Sequence, residues 1–84
     1  MPTGVKIQNG AFVQHFYTAA DRNQGNNVVF NGNLDPGANS PPFDLVAGAD
    51  GTGEVFVAQA GETGVIIFEV VDNAVLVIRE QTMP

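Results

Sequence analysis

The sequence has no cysteine and no tryptophan, only one histidine, and three basic residues against nine acidic ones among 84 positions. The absence of cysteine excludes disulfides and thiolate-bound metals, and a single histidine makes a zinc site a poor fit. The net charge of -6 repels a phosphate backbone, which argues against a nucleic-acid partner. No apolar run reaches the roughly 18 residues of a membrane span. The first ten residues also lack the apolar segment of a secretory signal peptide, so we expect synthesis in the cytoplasm.

Small size is the next constraint. Residues 1–84 predict a single domain, and a domain of this size buries only about 60–65% of the surface that its unfolded chain exposes. Without disulfides or a metal, the common route to extra stability is oligomerisation or docking onto a larger partner. Charged residues make up only 14% of the chain, against about 25% in an ordinary soluble domain. Much of the surface is therefore expected to be neutral and polar, or apolar and covered.

The spacing of turn residues indicates an all-β fold. Ten glycines, five prolines and many asparagines interrupt the chain roughly every 8–12 residues, which is the spacing of strands in a sandwich or barrel. We therefore predict a small antiparallel β-sandwich or barrel. Asn9-Gly10 is a dipeptide favoured in type I′ turns and predicts a hairpin between two N-terminal strands. A second such pair, Asn31-Gly32, predicts a bulge or a tight turn inside a strand.

The longer connections also carry local signals. The polar stretch of residues 18–27 predicts a mobile loop. Pro36-Gly37 fits the central positions of a type II turn, where proline fixes φ and glycine accepts a positive value. Pro41-Pro42 forces an extended path without donated backbone hydrogen bonds. This segment suits a crossover between two sheets, with Phe43 and Leu45 anchoring its end in the core.

The C-terminal stretch GVIIFEVVDNAVLVIRE, residues 64–80, contains two apolar runs separated by Asp72-Asn73. We predict a hairpin with this pair as its two-residue turn, so that Phe68 lies opposite Val77. Both faces of that hairpin would be apolar. One face carries Ile66, Phe68, Val70, Val75 and Val77, and the other carries Val65, Ile67, Val71, Leu76 and Ile78 together with Glu69 and Glu80.

A half-exposed antiparallel strand alternates between apolar and polar side chains, and this hairpin does not. Five aliphatic side chains left in water would forgo about 1.5–3 kcal/mol each, a sum comparable with the stability of a whole small domain. The cover comes either from the N-terminal strands or the proline-rich segment of the same chain, or from another molecule, and the short chain favours another molecule. The expected contact residues are Val65, Ile67, Leu76 and Ile78, with Glu69 and Glu80 at the rim. Residues 21–27 and the termini are expected to become ordered on docking.

The candidate chemical sites favour no enzyme. His15 shares a strand face with Val13 and Tyr17 and lacks a nucleophile and an orienting carboxylate, so we interpret it as a half-buried or interface histidine. The segment DGTGE, residues 50–54, approaches a calcium loop but lacks the D-x-[DN]-x-[DN]-G pattern and enough ligands, which favours a plain turn. We therefore predict no catalytic, cofactor-binding or metal-binding residue.

In overall manner the chain resembles the small decoration or cement proteins of tailed bacteriophage capsids. The resemblance rests on the acidic, cysteine-free all-β chain, the absent signal peptide and connections such as NGNLDPGANSPPFDLVAGADGTG. It implies a module that binds junctions of a protein shell, often as a trimer, and clamps neighbouring subunits. We accordingly expect a non-enzymatic structural protein that binds copies of itself and a shell such as a capsid, located in a virion or another extracellular assembly.

A carbohydrate-binding β-sandwich is the alternative function. Such modules stack sugars on exposed aromatic rings beside amide and carboxylate side chains. The chain is rich in amides, but Tyr17 is its single tyrosine.

Overall fold

The computed structural model describes residues 2–79 and confirms the all-β prediction for them. The regular elements are six strands and one short 3₁₀ turn. In chain order they are β1 (Lys6–Asn9), β2 (His15–Asp21), the 3₁₀ turn (Arg22–Gln24), β3 (Asn27–Leu34), β4 (Gly53–Gln59), β5 (Val65–Val70) and β6 (Val75–Ile78).

The strands form two sheets. The larger is antiparallel with four strands in the order β3-β2-β4-β5, and the smaller is a parallel pair of β1 and β6. Two isolated bridges, Val5 to Phe43 and Gln8 to Asn39, attach the proline-rich segment to the free edge of β1. No strand pairing within residues 2–79 joins the two sheets into a closed barrel.

The hydrophobic core lies between the two sheets, because each contributes the residues of one strand face. β4 illustrates the alternation: Val55 and Val57 are buried, whereas Phe56 and Ala58 on the opposite face are not. The buried cluster comprises Val5, Ile7, Tyr17, Ala19, Leu34, Phe43, Leu45, Val55, Val57, Val70, Leu76 and Ile78.

The predicted C-terminal hairpin is wrong. The turn at Asp72-Asn73 does form, with Asn73 at a φ of 58° and the Ala74 amide donating to Val71 O at 3.3 Å. The strands that flank it then separate: β5 pairs with β4, and β6 pairs with β1 so that Leu76 lies beside Ile7. Because the proline-rich segment pairs with its other edge, β1 has hydrogen-bonded neighbours on both edges.

The predicted hairpin at Asn9-Gly10 is also wrong. β1 is hydrogen-bonded to β6 on one edge and to the proline-rich segment on the other. Glycine at position 10 lets the backbone pass close to β6, because a Cβ at this position would lie 2.7 Å from Val77 Cγ1 and 3.1 Å from Ile78 O. The dipeptide thus marks a crowded chain crossing, and the loop that follows leads into the larger sheet.

The connections divide into confirmed and corrected predictions. Residues 18–27 are mostly regular structure, since β2 extends to Asp21 and the 3₁₀ turn completes a short link to β3. The bulge on β3 lies at Val29 and not at Asn31-Gly32, because Ala19 pairs with Phe30 and Ala20 with Val28. The turn at Pro36-Gly37 is confirmed by the Ala38 amide donating to Asp35 O at 2.9 Å and by a φ of 79° at Gly37. Phe43 and Leu45 are buried, as predicted.

Candidate interaction surface

The main exposed apolar feature is the side of the four-stranded sheet that faces away from the core, which we call the outer sheet face. The strand registers align its side chains in two adjacent rows across β3, β2, β4 and β5. The first row is Val28, Ala20, Phe56 and Ile67, and the second is Asn31, Thr18, Ala58 and Val65. Val28, Ile67 and Val65 are 51%, 48% and 54% exposed, so about half of each aliphatic side chain faces solvent.

Charged residues limit this face at one end. Glu54 and Glu69 lie opposite each other on β4 and β5, a like-charge pair that is unfavourable by itself. The Arg22 guanidinium offsets it by contacting Glu54 Oε2 at 3.2 Å, and its Cζ lies 4.9 Å from the centre of the Phe56 ring. The outer sheet face therefore has an apolar middle and a charged rim, the usual composition of a protein-binding surface.

The structure divides the six predicted contact residues. Val65, Ile67 and Glu69 are exposed and lie on the outer sheet face. Leu76 and Ile78 do not join them, because β6 belongs to the smaller sheet and turns both side chains into the core, where they are 9% and 3% exposed. The prediction that these two share an exposed face with β5 is wrong. Glu80 lies outside the described residues.

Five apolar members of the outer sheet face were missed from the sequence: Phe16, Ala20, Val28, Phe56 and Ala58. Alternation in GEVFVAQ does place Phe56 opposite Val55 and Val57, which is a local signal. The neighbours on β2 and β3 needed the order and register of the strands, which the sequence pattern did not supply.

A second exposed apolar feature is the loop between β1 and β2, where Phe12 is 88% and Val13 52% exposed. The buried side chain of Asn9 fixes this loop from below. Its Oδ1 accepts from the Ala11 amide at 2.8 Å, and its Nδ2 donates to Val13 O at 2.9 Å. These two hydrogen bonds fix the loop backbone on either side of Phe12, whose ring therefore stays in solvent.

His15 and Tyr17, two of the residues weighed for chemistry, lie on the same face of β2. His15 is half-buried, with its ring centre 6.1 Å from that of Tyr17 in an edge-on arrangement, and its Nε2 has no hydrogen-bond partner among the described residues. Among residues 2–79 no three His, Cys, Asp or Glu side chains are grouped so that they could hold a metal ion. Tyr17 is fully buried, which removes it as a stacking platform for a sugar.

Residues 50–54 form the plain turn that the sequence favours. The Gly48 amide donates to Thr52 O at 2.7 Å, and Asp50 Oδ1 accepts from the Thr52 amide at 3.1 Å and from its hydroxyl at 2.8 Å. The hydroxyl hydrogen bond, followed by the amide one, lowers the pKa of Asp50. The Asp50 carboxylate is thus used within the turn itself.

The chain matches no protein-family model, and comparisons with curated proteins and with solved structures found no similar protein. Within the described part of the chain, no helix has the length and apolarity needed to cross a bilayer. Arguments about function therefore rest on the exposed apolar side chains.

Proposed function

We propose that this protein is a non-enzymatic interaction protein that stabilises a larger assembly by docking its outer sheet face. The observation that carries the proposal is the half-exposure of Val28, Val65 and Ile67 on one continuous, hydrogen-bonded sheet surface. Exposed apolar patches of a few hundred Å² with a polar rim mark interaction sites on soluble proteins. Because the three side chains lie on a hydrogen-bonded sheet, docking them does not carry the entropic cost of ordering a flexible segment.

The energy available from this face is moderate. Complete burial of an aliphatic side chain is worth about 1.5–3 kcal/mol, so burying the exposed half of three such residues returns about 2–4 kcal/mol. Docking also has to offset the lost freedom of the bound molecule. One copy therefore binds weakly through this face alone, and stable attachment requires several copies that bind together.

The partner that we propose is a protein shell such as a virion capsid, bound by a homo-oligomer of this chain. Three features support this choice: the resemblance to capsid decoration proteins, the small acidic all-β domain, and the weak apolar face that suits repeated contacts. The mechanism is passive, since docking favours the folded and assembled state by mass action. The site of action would be the virion or a similar extracellular assembly.

The test is co-sedimentation of the purified protein with assembled shells from the cells that produce it. Ala58→Lys places a charge in the middle of the outer sheet face, and Asn31→Lys adds the same charge in the same row at its polar side. We expect the wild type and Asn31→Lys to sediment with the shells, and Ala58→Lys to stay in the low-mass fractions.

Matched melting curves by circular dichroism confirm that both variants fold. Two outcomes contradict the proposal: a wild-type protein that never enters the shell fraction, or Ala58→Lys that sediments as the wild type does.

A further inference from the structure

The two edges of the four-stranded sheet differ in how open they are to another strand. β3 and β5 are the edge strands, and each has a hydrogen-bonded neighbour on one side only within the described residues. An open edge presents a row of unpaired N–H and C=O groups and can accept a further strand. The features of each edge decide which one is open.

The backbone groups of β5 that point away from the sheet follow from the hydrogen-bond pattern. The Ala60 amide donates to Phe16 O at 2.9 Å, which fixes the bonded pairs between β2 and β4. Because bonded residues alternate along an antiparallel strand, Phe56 and Ala58 bond to β2, whereas Gly53, Val55 and Val57 bond to β5. The register of β4 and β5 then leaves the N–H and C=O groups of Val65, Ile67 and Glu69 directed outwards.

The edge of β3 is protected by comparison. It carries the bulge at Val29, a glycine at position 32, and the short polar side chains of Asn31 and Asn33. Bulges and glycine weaken strand pairing, and polar edge residues gain little from it. β5 has no bulge and no proline or glycine between Val65 and Val70, and Glu69 is its single charged residue. β5 is therefore the open edge.

We propose that β5 pairs with β5 of a second copy of this chain, antiparallel and centred on Ile67. In this register no two like charges lie opposite each other. Ile67 lies opposite Ile67 of the second copy, and each Val65 lies opposite Glu69 of the other copy. About six new backbone hydrogen bonds form, two for each of three bonded pairs. A register centred on Glu69 would instead place two carboxylates opposite each other, which is unfavourable.

Pairing at this edge joins two four-stranded sheets into one sheet of eight strands. The two outer sheet faces then lie side by side, which doubles the apolar surface that one assembly unit offers to a shell. This consequence rests on the proposed function, whereas the pairing of β5 does not. A doubled face also compensates for the weak docking of a single copy, because two linked contacts bind more tightly than one.

The test is the dissociation constant of the dimer, measured by sedimentation velocity across a concentration series of the full chain. The matched variants are Val65→Lys and Val65→Glu, which remove the same valine but place opposite charges facing Glu69 of the second copy. The register contains two such cross-strand pairs, so we expect Val65→Lys to dimerise roughly tenfold or more tightly than Val65→Glu. Added salt should narrow this difference.

A second variant tests the backbone. Ile67→Pro removes an N–H that points outwards and leaves the bonds to β4 intact, as proline on an edge strand permits. We expect it to stay folded and to remain monomeric. The proposal is wrong if the wild type is monomeric at the highest soluble concentration, which would leave the edge for a strand of another protein. It is also wrong if the two Val65 variants dimerise equally, or if folded Ile67→Pro dimerises like the wild type.

The two proposals fail separately. If Ile67→Pro is monomeric and Ala58→Lys remains dimeric but no longer sediments with shells, both are supported. A wild type that is monomeric in solution and still sediments with shells contradicts the β5 pairing but not the docking of the outer sheet face. A dimer that never binds shells contradicts only the proposed function.

Discussion

Replacing Asn9 with alanine is expected to remove a large part of the stability of this domain. Asn9 is fully buried and uses both ends of its amide group. Its Nδ2 donates to Leu34 O at 2.7 Å and to Val13 O at 2.9 Å, while its Oδ1 accepts from the Ala11 amide at 2.8 Å and from the Tyr17 hydroxyl at 3.1 Å. One side chain thus joins the end of β1 to the loop that follows, to β2 and to β3.

The magnitude follows from the groups left without a partner. Asn9→Ala leaves the buried Ala11 amide without its acceptor and removes one donor each from the Leu34 and Val13 carbonyls. The unpaired Ala11 amide costs about 1–3 kcal/mol, and the lost hydrogen bonds to the Leu34 carbonyl and the Tyr17 hydroxyl cost about 0.5–1.5 kcal/mol each, which together predict a loss of about 2–6 kcal/mol. At about 0.05–0.15 kcal/mol per residue, the whole domain has only about 4–13 kcal/mol. The variant therefore lies at the edge of unfolding.

The assay is urea denaturation followed by far-ultraviolet circular dichroism, with two comparison variants. Tyr17→Phe removes one of the four hydrogen bonds and is expected to cost about 1 kcal/mol. Asn39→Ala removes an exposed hydrogen bond from Gln8 Nε2 at 2.9 Å and should change the free energy of unfolding by less than about 0.5 kcal/mol. An Asn9→Ala variant within about 1 kcal/mol of the wild type would refute the reasoning.

Three further predictions concern the core, acid stability and a chain crossing. Leu76→Lys should lower the free energy of unfolding by at least the roughly 2–5 kcal/mol of losing a core leucine. Ile67→Asp should keep the fold and lose about 1 kcal/mol, as measured by urea denaturation. A larger loss for Ile67→Asp than for Leu76→Lys would contradict the assignment of faces. Because the pKa of Asp50 is lowered in the folded state, its stabilising contribution is present above its ordinary pKa of 3.8 and is lost as the pH falls through the folded value. The difference in the free energy of unfolding between Thr52→Val and the wild type should therefore be largest at about pH 5 and above and should shrink on acidification. Unfolding curves measured from about pH 2 to 6 test this, and a difference that does not change with pH would argue against the linkage. Gly10→Ala should cost about 1–3 kcal/mol and lower the melting temperature measured by calorimetry, because its methyl group overlaps β6; an unchanged melting temperature would show that β6 yields easily.

The sequence predicted the features that depend on near neighbours along the chain. The turn at Pro36-Gly37 and the burial of Phe43 and Leu45 follow from proline and glycine geometry and from short apolar anchors. The exposed position of Val65 and Ile67 followed from an excess of apolar residues over one buried face. Each of these inferences needs only a few consecutive residues.

The pairing of strands was not predictable in the same way. β6 can present Leu76 and Ile78 to a core in either sheet, and proximity along the chain favoured β5 as its partner. In the structure β6 pairs with β1 instead, and that pairing depends on the packing of the whole core. The role of Asn9 was hidden for a related reason, because Asn-Gly is a strong local turn signal and the buried partners of the amide come from distant segments.

The union of β1 with β6 has a kinetic consequence. Contacts across this pair span 69 positions, as in Lys6 beside Val75, and closing a loop of that length costs about 4 kcal/mol of chain entropy before any contact compensates. Domains dominated by such distant contacts fold in milliseconds to seconds, slower than those built from nearby ones. During synthesis Lys6 and Ile7 cannot pair with β6 until β6 has left the ribosome. Nascent chains thus remain open to chaperones, and to premature association, until residues 75–78 have emerged.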